Sequence, residues 1–130
     1  SREYDWIGND LKTTFPPGMD VEVFSLNALR DAASRTADPA IREHGTLYIR
    51  QHPKRYRLLN IEAQGKRRRP ELCLGIDTQE DARVVMTIMR HFQDDHCFSL
   101  EEIIAFLDRN PKLAESNRDV VRRWRKYRDD

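Results

Sequence analysis

The sequence predicts an α/β fold, a sheet of short strands layered against capped helices. Three observations carry the prediction. Short apolar or alternating runs recur at residues 4–7, 21–24, 56–63 and 72–76. Helical spacing of apolar residues, each time behind a capping residue, separates or follows them. The chain of 130 residues has the length of one ordinary domain.

Taken in order, residues 4–7 are short and aromatic, as a strand would be, and 8–18 form a loop with Asn9-Asp10, Pro16-Pro17 and Gly18. Residues 21–24 alternate apolar and acidic side chains and read as a strand. Ser25 caps a helix that carries Leu26, Leu29, Ala32 and Ala33 to about Ser34. Asp38-Pro39 opens a second helix, because proline in the first turn loses no hydrogen bond there. That helix continues, or restarts after Gly45, through Tyr48 and Ile49, and Pro53 ends it. Residues 56–63 read as a strand, 64–70 as a basic loop, and 72–76 as a strand buried on both faces. Thr78 to Asp81 has the form of a capping box, followed by Ala82, Val85, Met86, Met89 and Phe92 on one helical stripe. Ser99 to Glu102 is a second capping box, before a helix with Leu100, Ile103, Ile104 and Leu107 that Asn110-Pro111 closes. A last basic helix is expected over 116–128, with Val120, Val121, Trp124 and Tyr127 on one side. The organisation expected is a main unit over 1–113 and a basic C-terminal helix over 114–130.

Composition narrows the function. Lysine plus arginine number 23 against 22 acidic residues, a net charge of +1, which argues against a dedicated nucleic-acid binder. No apolar run approaches the length of a membrane span, and residues 1–5 contain no apolar leader core. Cys73 and Cys97 lack metal or redox spacing and read as two buried thiols in a reducing compartment. The expectation is a soluble cytoplasmic protein with no membrane partner.

Four constellations could carry chemistry. Asp20 and Glu22 stand two apart, so on a strand they share a face and could bind a metal or sugar hydroxyls; they could equally be a solvated strand face. Arg42 and His44 near a helix end could hold a carboxylate, the first by its planar fork and the second by a ring N–H, or be ordinary surface. Asp77, at the carboxyl end of the expected strand 72–76, could take a magnesium ion, which uses one or two carboxylates and completes its shell with water and phosphate oxygens. Alternatively Asp77 only helps Thr78 start the helix. The basic runs 66–69 and 118–128, with Trp124 and Tyr127 interleaved, could meet phosphates, or be solvated faces. No glycine-rich phosphate loop is present, so an α/β nucleotide fold would here begin in its middle.

Residues 17–24 (PGMDVEVF), 42–49 (REHGTLYI), His52-Pro53 and 76–81 (IDTQED), in this order, resemble the C-terminal half of the spore coat polysaccharide biosynthesis protein F family. That family belongs with the cytidylyltransferases that activate acidic sugars such as 3-deoxy-manno-octulosonate and neuraminate. The resemblance implies a Rossmann-like nucleotidyltransferase fold, here with a helical C-terminus, and transfer of CMP from CTP to a sugar acid with release of pyrophosphate and use of Mg²⁺. By the same resemblance Asp77 is the candidate catalytic and metal-binding aspartate, and Asp20, Glu22, Arg42 and His44 are candidate sugar-binding residues. A homodimer is expected. The chain departs from the family in lacking its glycine loop with arginine and lysine and its first metal aspartate, and in having Leu72-Cys73-Leu74 where an arginine is usual. Two other readings stand beside this one: a non-catalytic interaction module that uses the arginine-rich tail, and a glycosyltransferase-like protein.

Overall fold

Trp6, fully buried, anchors the centre of the sheet. It opens β1 (Trp6–Gly8), which lies between β2 (Glu22–Phe24) and β3 (Leu58–Asn60). β1 runs antiparallel to β2, with Trp6 opposite Phe24, and parallel to β3, with Trp6 opposite Leu58. The structure is a computed structural model that describes residues 3–130. Ser1 and Arg2, part of the stretch read as lacking a leader, lie outside the described residues.

The helices begin where the caps place them. Ser25 accepts the Ala28 N–H and starts α1 (Leu26–Arg35), and Asp38 accepts the Ala40 N–H and starts α2 (Pro39–Arg42). Gly45, at φ +54°, turns the chain before α3 (Leu47–Arg50). Thr78 with Asp81, and Ser99 with Glu102, form reciprocal capping boxes at the starts of α4 (Gln79–His91) and α5 (Leu100–Asp108). α6 (Pro111–Glu115) follows Asn110 directly. Each cap satisfies backbone N–H groups that the helix itself leaves open, so the signal is local and readable in sequence.

Two apolar clusters hold the elements. Trp6, Ala28, Ala32, Ile49 and Tyr56 join the sheet to α1 and α3. Leu72, Leu74, Val84, Ile88, Ile103, Ile104, Phe106 and Leu107 join α4 to α5. No helix among the described residues is long and apolar enough to cross a membrane.

Three expected elements differ. Residues 72–76 form no strand: the N–H groups of Leu74 and Gly75 both donate to the single Pro17 carbonyl, at 2.7 and 3.1 Å. The alternation is real, since Leu72 and Leu74 are buried, but what they meet is a loop and a helix rather than a ladder. In α4 the inward stripe is Asp81, Val84 and Ile88, while Met86 and Met89 are 51% and 54% exposed. Residues 116–128 form no continuous α-helix; the chain is extended at Arg122 and then makes a 3₁₀ turn over Arg123–Tyr127. Val121 is 87% exposed because Arg122, not the valines, is drawn into the interior. The thiols also differ: both are free, with Cys73 half-buried and Cys97 exposed.

Candidate functional site

Pro17 and Gly18 bring two loops into contact. Gly18 has φ +103°, and a Cβ there would come within 2.3 Å of the Gly75 nitrogen. Only glycine tolerates both that conformation and that approach. The contact sets the loop carrying Asp20 beside the loop carrying Asp77, and between them opens a cleft of about 270 Å³. Asp10, Asp20, His44, Arg50, Asp77, Trp124, Tyr127 and Arg128 line it. A wider groove of about 840 Å³ continues past His44 and Asp77 along Arg123 and Lys126.

Asp77 has a 55% exposed side chain. Its backbone is fixed from below: the Asp77 and Thr78 N–H groups both donate to Asp81 Oδ2 at 3.0 Å. Asp81 is completely buried. Arg122 donates to both of its oxygens, at 2.7 and 2.6 Å, and Asn117 donates to Oδ1 at 2.7 Å. The guanidinium of Arg122, backed by the two backbone N–H groups and Asn117, outweighs burial and holds the Asp81 carboxyl well below the usual carboxylate range. Asn117 also donates to the Cys73 carbonyl at 3.1 Å, so the chain on both sides of Asp77 is tied to one point.

Asp20 precedes β2 and accepts from Arg128 Nη2 at 3.0 Å. Arg128 lies 4.2 Å from the Trp124 ring centroid, a cation–π arrangement. Glu22 stands behind the cleft wall, accepting from the Thr46 hydroxyl at 2.6 Å and from Arg50 at 3.4 Å. Arg50 also pairs with Asp10 at 3.2 Å. Burial, only partly offset by Arg50, pushes the Asp10 carboxyl up from its ordinary value. His44 faces the Tyr127 ring at 4.9 Å.

Of the residues singled out in sequence, the structure brings Asp20, His44 and Asp77 to one cleft, with Glu22 one layer behind. Arg42 goes elsewhere. It donates to the carbonyls of Ala33 and Thr36, at 3.1 and 3.0 Å, and lines a separate groove against α1. Arg42 and His44 are two apart at the end of a helical turn, so they project in different directions, and the pairing expected of them is not formed. Asp10, Asp81, Asn117 and Arg122 were not anticipated. Asp81 carried one signal, its place in the capping box, but its partners are 36 and 41 residues away. The basic tail spends Arg122 and Arg128 inside the protein, and Asp130 accepts from the Thr13 hydroxyl at 2.6 Å.

No group of three or more histidine, cysteine, aspartate or glutamate side chains that could hold a metal occurs among the described residues. Asp77 offers one exposed carboxylate to the cleft, and Arg122 Nη1 lies 3.5 Å from its Oδ2.

No family model matches the sequence. The chain is 37% identical over 100 residues to the spore coat polysaccharide biosynthesis protein SpsF of Bacillus subtilis, covering 76% of this chain and 42% of that protein. It is 32% identical over 112 residues to the uncharacterized protein MJ1063 of Methanocaldococcus jannaschii, covering 86% and 45%. Its fold superposes on a cytidylyltransferase from Leptospira borgpetersenii with a TM-score of 0.80 and 25% identity, over 92% of this chain and 49% of that one. The chain thus spans about half the length of the relatives it matches. On sequence and fold together, the chain is similar to SpsF and to a cytidylyltransferase over about half of their length, and it carries part of the nucleotidyltransferase fold.

Proposed function

We propose that this chain supplies the sugar-acid side of a nucleotidyltransferase that joins CTP to an acidic sugar, giving a CMP-sugar and pyrophosphate. The observation that carries the reading is the convergence of Asp20, His44 and Asp77, from three separate segments, on one cleft. The kinship to SpsF, by its name a polysaccharide biosynthesis protein, and to a cytidylyltransferase supports the reaction class.

Asp77 is the residue here that would hold magnesium, and a bound magnesium would supply positive charge to phosphate oxygens in the reaction. The chain's own residues orient the sugar. Asp20, steadied by Arg128, offers an acceptor for sugar hydroxyls. The imidazole of His44, which lines the cleft beside Tyr127, would donate to the carboxylate of the sugar. Trp124 and Tyr127 wall the cleft and limit water. Glu22 acts through Arg50 and Thr46, shaping the wall rather than touching the sugar.

The test is Asp77→Asn in the complete enzyme, followed by pyrophosphate release from CTP and a panel of sugar acids. A loss on the order of a hundredfold or more is expected. An unchanged rate removes Asp77 from the reaction. Turnover of nucleotide sugars in place of CTP would assign a glycosyltransferase instead.

A further inference from the structure

The segment after Val121 is held at its two ends by ties of very different strength. At the near end Arg122 donates to both oxygens of Asp81, and the two side chains are 3% and 0% exposed. At the far end the side-chain ties to Asp130 and Asp20 are exposed: the Thr13 hydroxyl donates to Asp130 at 2.6 Å, and Arg128 donates to Asp20 at 3.0 Å. The Asp129 N–H adds one bond to the Leu11 carbonyl, at 2.7 Å. Between the ends, none of residues 123–130 is buried, and neither apolar cluster includes one of them. Breaking a buried ion pair is costly, whereas an exposed one contributes little. A segment without buried apolar contacts opens before the rest of a protein does.

This segment covers the cleft. Trp124, Tyr127 and Arg128 form one side of it. Arg128 holds the carboxylate of Asp20, and the Tyr127 ring lies 4.9 Å from that of His44. A ligand that engages Asp20 and His44 has to displace these contacts. We propose that residues 123–130 form a strap that gates the cleft, swinging about Arg122 to release Leu11, Thr13 and Asp20 while the Arg122–Asp81 pair stays closed. Asn117 lies on the fixed side of that hinge and donates to Asp81 and to the Cys73 carbonyl, so the floor of the cleft stays in place as the strap lifts. Gating of this kind holds whatever reaction the cleft serves, and its test needs no turnover.

Cys73 is a native reporter, since it lines the cleft, is half-buried and is free. In a Cys97→Ser background it is the sole thiol. The rate at which a bulky dye maleimide labels it is followed in the 130-residue chain across urea concentrations below the unfolding transition. Lifting the strap alone exposes little surface, so the rate is expected to stay nearly flat in urea. A rise as steep as that of global unfolding overturns the proposal. Arg128→Ala combined with Asp130→Ala is expected to speed labelling roughly fivefold, still flat in urea. An unchanged rate in this variant overturns the proposal, because access to Cys73 would then not pass through the strap, and so does a faster rate that has become steep in urea. If the double variant fails to fold, Thr13→Val decides by the same readings. It removes the hydroxyl that donates to Asp130 and that Arg128 approaches at 3.3 Å.

Discussion

Arg122 grips both carboxylate oxygens of Asp81 across 41 residues of sequence, with both side chains sealed from solvent. The pair fastens the extended segment after α6 to the start of α4. A buried ion pair broken on one side leaves the other charge unpaired, at a cost of roughly 3–5 kcal/mol. Arg122→Ala should therefore lower unfolding free energy in urea by about that amount. Replacing both members, as Asp81→Leu with Arg122→Met, should not restore stability as it does for an isolated pair. Asp81 also accepts the N–H groups of Asp77 and Thr78, which an apolar residue leaves open.

The same carboxylate shapes the response to acid. Asp81 has its pKa lowered in the folded chain, chiefly by Arg122. A lowered folded value means that its stabilising contribution is complete above the ordinary carboxylate pKa of about 4 and is lost as pH falls below it. Unfolding followed across that range should show a steep loss of stability on the acid side. Asp81→Asn should flatten the slope, and an equal slope in both proteins would reassign it to other carboxylates.

Gly18→Ala is expected to be costly in proportion to how little room exists. The new Cβ would collide with the backbone of Leu74 and Gly75 at 2.5 and 2.3 Å, in a conformation that side chains rarely adopt. A loss of roughly 1–3 kcal/mol is the lower bound from the backbone conformation alone. The two loops must separate, so chemical shifts of the Asp20 and Asp77 amides should move together in nuclear magnetic resonance spectra.

Arg42 and His44 should separate in the complete enzyme. Arg42→Ala removes two exposed hydrogen bonds to carbonyls near the end of α1 and should cost no more than about 0.5–1.5 kcal/mol of stability, with kcat/KM nearly unchanged. His44→Ala should raise KM for the sugar acid with little effect on folding. Equal kinetic defects would mean that the two residues share a ligand after all.

The two thiols should react at different rates. Cys97 is exposed and Cys73 is half-buried, with burial pushing its pKa up. A thiol reagent at neutral pH should label Cys97 fast and Cys73 slowly, and equal rates would mean that the loop before Asp77 opens readily.

What was legible in the sequence was what short-range chemistry controls. Ser25, Asp38, Thr78 and Ser99 each cap a helix through groups two or three residues away, and each is read without knowing the fold. The order of the PGMDVEVF and IDTQED stretches carried the resemblance and pointed to Asp20 and Asp77, which the fold brings to one cleft. What only the tertiary structure decided was every outcome that depends on a distant partner. Residues 72–76 alternate like a strand, yet their N–H groups end on the Pro17 carbonyl. Residues 116–128 carry helical spacing, yet a buried carboxylate captures Arg122 and holds the chain extended there. The reason is energetic. Helical propensity in the tail is worth a few tenths of a kcal/mol per residue, whereas leaving Asp81 buried and unpaired costs several.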